Sequence, residues 1–111
     1  MKHLEDFLQI ECVQELNNHR DTVFAFHVKN EGKKSIQIAM RDKALGLRSG
    51  VPDLCLVCCD GKTRWIELKA PLGVLSEHQK RFYDLCTKWG FDWALIRTIE
   101  EFREQLKKWG L

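Results

Sequence analysis

The sequence lacks any apolar run approaching the ~18 residues that a membrane-spanning helix needs. Its first stretch, MKHLEDFLQIECV, carries acids inside the apolar segment and is not expected to act as a secretion signal. The protein is therefore expected to be cytoplasmic. Net charge is only +2, from 18 Lys and Arg against 16 Asp and Glu. Contact with nucleic acid would need a local basic patch instead of an overall positive field. The 5 cysteines are odd in number, against a closed disulfide framework. Cys55-x-x-Cys58 has no second ligand pair to complete a zinc site, and strand positions three apart face opposite sides. Free thiols acting as small hydrophobes are the expectation. Repeats, low-complexity segments and linkers are absent too, so residues 1–111 are expected to form one domain.

What is present is a globular composition, 44% apolar and 31% charged. Leu4 to His19 reads as a helix, with Leu4, Phe7, Leu8 and Cys12 as its apolar stripe and Glu11 inside that stripe. An acid on a core-facing stripe is costly unless paired, protonated or bound to metal. Thr22 to Lys29 alternates as a strand, setting Val23, Ala25 and His27 against Phe24, Phe26 and Val28. His27 reads as a core-edge or DNA-facing residue. A turn over Asn30 to Lys34 follows, then a helix from Ile36 to Leu45 capped by Ser35 and ended by Gly46. Lys29, Lys33, Lys34, Arg41, Lys43 and Arg48 cluster in this third of the chain, the natural place for contacts to a phosphate backbone.

The stretch from Arg48 to Lys80 organises the rest. Gly50-Val51-Pro52-Asp53 precedes an apolar strand, Asp60-Gly61 turns the chain, and Thr63 to Lys69 returns with Glu67-Leu68-Lys69 at its end. Period-two alternation puts Glu67 and Lys69 on one face, and an antiparallel hairpin brings Asp53 to them. Two carboxylates and a neighbouring main-chain carbonyl, that of Leu68, are hard oxygen ligands suited to Mg²⁺ or Mn²⁺. A lysine on the same face can orient or deprotonate a water attacking a phosphodiester. An isolated E-x-K triplet is commonly a surface ion pair; the preceding GVPD and the apolar strand between them argue for a site. Ser76-Glu77-His78-Gln79 is a capping box opening a helix to Trp89, with Phe82, Leu85, Cys86 and Trp89 as its stripe. Gln79 is read both as helix cap and as a residue aimed at the site. Phe91 to Arg97 is a strand, and Thr98 opens a last helix with Ile99, Phe102, Leu106 and Trp109 inward.

GLRSGVPDL, WIELKAPLGVLSEHQKRFYDLCTKWGF and the upstream HVKNEG closely resemble the VRR-NUC domain, a branch of the PD-(D/E)xK nuclease superfamily. The resemblance implies an α/β, restriction-endonuclease-like core with a mixed central sheet flanked by helices. It further implies that Asp53 and Glu67 bind metal, that Lys69 serves the water, and that Gln79 and the first-helix Glu11 support the site. Stand-alone members of viral or bacterial type resemble homodimeric enzymes that resolve four-way DNA junctions, whereas members fused to larger repair proteins cut branched or flapped DNA. The expectation is thus a metal-dependent DNA endonuclease acting on four-way (Holliday) junctions. The alternatives are a flap or non-specific nuclease and a non-catalytic DNA-binding module.

Overall fold

The computed structural model describes residues 2–28 and 34–111. The expected turn over residues 30–34, apart from Lys34, and the proposed DNA contacts Lys29 and Lys33 lie outside the described residues. The chain runs α1 (Lys2–Leu16), a short 3-10 turn over Asn17–His19, β1 (Val23–His27), α2 (Ile36–Ala44), β2 (Leu54–Cys58), β3 (Thr63–Leu68), α3 (Glu77–Trp89), β4 (Asp92–Ile96) and α4 (Ile99–Lys108). This is the predicted order.

The strands form one sheet in the order β1-β2-β3-β4. β1 and β3 each pair antiparallel with β2, while β4 runs parallel to β3. The β2–β3 hairpin closes because Asp60 Oδ1 accepts the Lys62 N–H at 3.1 Å and Gly61 takes a φ of 84°, a conformation glycine adopts without a Cβ penalty. A parallel neighbour needs a crossover, and α3 supplies it. Four strands of mixed direction with helices on both faces make the α/β architecture expected from the sequence.

Strand register assigns the faces. His27 and Ala25 stand opposite Leu54 and Leu56, which in turn oppose Ile66 and Arg64. That face meets α1 and α4, and the main core lies there: Leu8, Cys12 and Leu16 of α1 with Phe102 and Leu106 of α4, over Val23, Leu54, Leu56, Ile66, Leu68, Ala94 and Ile96. The buried stripe of α1 differs from the predicted one. Leu8, Cys12 and Leu16, spaced by four, turn inward, and Leu4 and Phe7 are exposed. One helix can present only one stripe to the sheet, and α4 on the same face fixes which.

The opposite face carries α3. Phe82 meets Trp65 edge-on with ring centroids 5.1 Å apart, and Tyr83 lies 4.6 Å from Trp93. The two sheet tryptophans occupy the space beneath the helix, so only Cys86 of α3 is fully buried, and the predicted inward residues Leu85 and Trp89 are exposed. α3 does not shield β1: Phe24 is 70% and Phe26 46% exposed, as is Val57 of β2 at 47%. Within β2, Leu54, Cys55, Leu56 and Cys58 are therefore buried but Val57 is not.

At the start of β3 the buried Arg64 ties the sheet together. Its guanidinium bonds both oxygens of Asp60 (3.1 and 2.7 Å) and reaches Asp92 Oδ2 (2.8 Å), while stacking 5.4 Å from the Trp109 ring. The candidate site lies at the other end of this strand. All five cysteines are free thiols, and burial pushes Cys12 up to about 12.

Candidate active site

The GVPD loop is held by main-chain geometry. Gly50 has a φ of +85°, and a Cβ there would stand 2.4 Å from the His78 carbonyl oxygen. The loop therefore lies directly against the first turn of α3, at a distance only glycine permits. Pro52, buried and without an N–H, comes just before β2, where no ladder donor is needed. Asp53 follows and is fixed from both sides. Its Oδ2 accepts the Leu68 N–H at 2.7 Å, and its carbonyl accepts the Val28 N–H at 3.0 Å and His27 Nδ1 at 2.9 Å.

Glu67 is 2% exposed, which removes the reading of Glu67 and Lys69 as a surface ion pair. Its Oε2 accepts a hydrogen bond from Gln79 Nε2 at 3.2 Å, while Oε1 is buried and has no hydrogen-bond partner among the described residues. Burial pushes this carboxyl up to about 9; the Asp53 carboxylate and, more weakly, Glu5 add to the rise, and Lys69 opposes it. The two readings of Gln79 turn out to be compatible, because the amide has two ends. Oε1 accepts the Ser76 N–H at 2.8 Å and completes the capping box, and Nε2 reaches Glu67.

A cleft of about 450 Å³ opens beside these groups, lined by Glu5, Asp6, Gln9, Ile10, His27, Asp53 and Leu68. Of the predicted residues, Asp53 and Leu68 face it directly, with Glu67 and Gln79 behind. The structure does not bring Glu11 there. Glu11 is exposed, and its charge acts on Cys12 and on Arg103 of α4. Glu5 lines the cleft instead. At about 100° per residue, Glu5 extends the Leu8–Cys12–Leu16 stripe by one turn toward the N-terminus, whereas Glu11 lies off it. The signal was in the sequence and depended on which stripe was inward. Glu15, toward the other end of α1, pairs with Arg103 (2.9 Å) and His19 (3.0 Å), which holds its carboxyl below the usual range.

Lys69 is half-buried at the end of β3, its N–H bonded to the Ile96 carbonyl at 3.1 Å. The loop after it is clamped by Arg97, whose Nη1 donates to the carbonyls of Ala70 (2.7 Å) and Gly73 (2.8 Å). No sequence pattern marked that clamp, since it joins residues 24 to 27 apart through main-chain acceptors. Among the basic residues, Lys34 pairs with Asp42 within the α2 region, and Arg41 and Lys43 are exposed in the last turn of α2. Arg48 is exposed on the segment leading to Gly50.

The donor set suits a hard divalent cation. Two adjacent carboxylates in a low-dielectric setting repel one another, and an unpartnered buried oxygen on one of them lacks the stabilisation a cation would provide. Among the described residues no three His, Cys, Asp or Glu side chains close into a cage by themselves.

A mixed four-stranded sheet flanked by helices, with Asp53 just before one central strand, Glu67 near the end of the next and Lys69 just after it, has the form of a PD-(D/E)xK-like core. The family model for the VRR-NUC domain matches residues 4–98, and the chain belongs to that family of nuclease-type, DNA-processing modules. A solved structure described as a VRR-NUC domain is similar over 94% of this chain and 95% of its own, with a TM-score of 0.69 and 17% identity, a likeness of fold. No curated protein matches the sequence. No helix among the described residues is long and apolar enough to cross a membrane.

Proposed function

We propose that this chain is a metal-dependent DNA endonuclease, one domain over residues 1–111, that hydrolyses phosphodiesters at four-way junctions as a homodimer. The observation that carries the chemistry is Glu67: a buried carboxyl with an orphaned oxygen beside Asp53, at the edge of an acidic cleft. Glu5, Asp6 and Asp53 line that cleft with negative charge, and a cation there would offset it for an approaching phosphodiester and favour the ionised form of Glu67.

Asp53, Glu67 and the Leu68 carbonyl would hold Mg²⁺ or Mn²⁺, with Glu5 as the first-helix acid in the role the sequence suggested for Glu11. When bound, the ion neutralises charge on the scissile phosphate and acidifies water near it. Lys69 orients the attacking water or helps to deprotonate it. Gln79 keeps Glu67 turned toward Asp53, and Arg97 holds the loop after Lys69 so that the strand end stays in place. Lys34, Arg41, Lys43 and Arg48, with Lys29 and Lys33, supply backbone-phosphate contacts. Pairing of two chains is supported by apolar surface with no cover in one chain: Phe24, Phe26 and Val57 on the sheet, and Ile36, Ile38 and Met40 of α2. A two-fold enzyme presents two such sites to a two-fold junction.

The test is a panel of labelled four-way, flapped, single-stranded and plain duplex DNA, incubated with Mg²⁺, Mn²⁺ or EDTA. Paired, metal-dependent cuts confined to the junction support the whole reading. Cutting of flaps or duplex keeps the nuclease and removes the junction preference; no cutting in any condition removes the enzyme. In the same assay Glu5→Gln is expected to lower the rate about 10- to 100-fold, while Glu11→Gln leaves it unchanged.

A further inference from the structure

His27 ends β1, an edge strand of the sheet, and its ring is exposed. An exposed imidazole has no need of a protein partner, yet Nδ1 stands 2.9 Å from the Asp53 carbonyl oxygen, which also receives the Val28 N–H at 3.0 Å. A carbonyl only accepts, so Nδ1 carries the proton and donates. The result is a chain of contacts across three strands. β1 grips the main chain of Asp53 through Val28 and His27, and β3 grips its side chain through the Leu68 N–H at 2.7 Å. Asp53 lies in a bend just before β2, beyond the regular ladder, where these bonds replace strand pairing as the source of rigidity.

We propose that His27 is a positioning residue of the site, fixing the aim of the Asp53 carboxylate through its hydrogen bond to the Asp53 main chain; the inference rests on the nuclease reading above. Sites of this kind lose function when a ligand drifts by about half an ångström. Groups that orient ligands from behind typically account for about 10- to 100-fold in metal affinity.

The two ends of the imidazole can be separated by substitution. His27→Asn keeps an N–H donor near the place of Nδ1, His27→Gln moves the donor out to the place of Nε2, and His27→Ala removes both. Calorimetry with MnCl₂ on the full chain measures affinity, steady-state cleavage gives kcat and KM, and a melt in EDTA reports folding. Alanine is expected to weaken Mn²⁺ binding about 10- to 100-fold and to lower kcat with KM for DNA unchanged. Asparagine should restore most of both, and glutamine neither. If alanine fails to fold, the asparagine and glutamine pair decides alone. Variants that bind Mn²⁺ and cut like wild type would overturn the proposal while leaving the nuclease reading intact. Rescue by glutamine and not asparagine would overturn it in favour of an imidazole working through its other nitrogen. Wild type that neither binds Mn²⁺ nor cuts DNA would overturn both.

Discussion

Glu67→Gln should stabilise the metal-free protein above neutral pH while abolishing cleavage. The carboxyl has an ordinary value of 4.5 and is raised to about 9 in the folded chain, by burial first and by Asp53 second. A group raised on folding contributes fully below its unfolded value and loses that contribution as pH climbs toward its folded value. Each pH unit in this window is worth ~1.36 kcal/mol. Between pH 4.5 and pH 8 the metal-free fold therefore loses up to about 5 kcal/mol, reduced to about 2–4 kcal/mol once relaxation and water entry are allowed for. That is a large share of the ~5–15 kcal/mol by which domains are stable. Glutamine has the shape of the protonated acid, still accepts from Gln79 and does not titrate. Urea unfolding in EDTA, followed by the fluorescence of the 4 tryptophans, should give equal midpoints for variant and wild type near pH 5 and a clear gain for the variant at pH 8. Titrations common to both proteins, such as those of Asp60 and Glu15, cancel in the difference. Saturating Mg²⁺ should reverse the order at pH 8, since only wild type can use the ion. A difference between the two proteins that is the same at pH 5 and pH 8 would refute the reasoning.

Gly50→Ala places a methyl against the His78 carbonyl and forces a non-glycine residue to φ +85°; a loss of about 2–4 kcal/mol and a drop in cleavage are expected, read by melting and by single-turnover rate. Arg64→Ala leaves a cavity beside Asp60, Asp92 and Trp109 and should lower the melting temperature, while the Mn²⁺ affinity of the folded fraction is retained because the site lies at the other end of β3. Gln79→Ala should lower helix stability by about 1 kcal/mol or less through the lost cap and, separately, weaken Mn²⁺ binding through the lost contact to Glu67, which calorimetry distinguishes from the melt.

Much of this was legible from local pattern. The Asp60-Gly61 turn, the alternation along β3 and the caps at Ser35, Ser76 and Thr98 each reflect chemistry contained within a few residues, and the structure repeats them. What the sequence hid depends on packing partners. Leu4 and Phe7 are apolar and correctly spaced, but the sheet and α4 select Leu8, Cys12 and Leu16, and that rotation replaces Glu11 with Glu5 at the cleft. Leu85 and Trp89 are left outside because Trp65 and Trp93 already fill the space under α3. The roles of His27 and Arg97 run through main-chain carbonyls far along the chain, which no side-chain spacing encodes.

The central claim is that Asp53, Glu67 and Lys69 together hydrolyse DNA with a divalent ion. It is tested most directly by single-turnover cleavage with saturating Mg²⁺, comparing wild type, Lys69→Ala and Asp53→Asn, each shown by melting to be folded. The account predicts metal-dependent cutting by wild type, a fall of about 10²- to 10⁴-fold for Lys69→Ala, and no detectable cutting by Asp53→Asn or by any protein in EDTA. Cleavage by either variant at the wild-type rate, or cleavage that persists in EDTA, would contradict it.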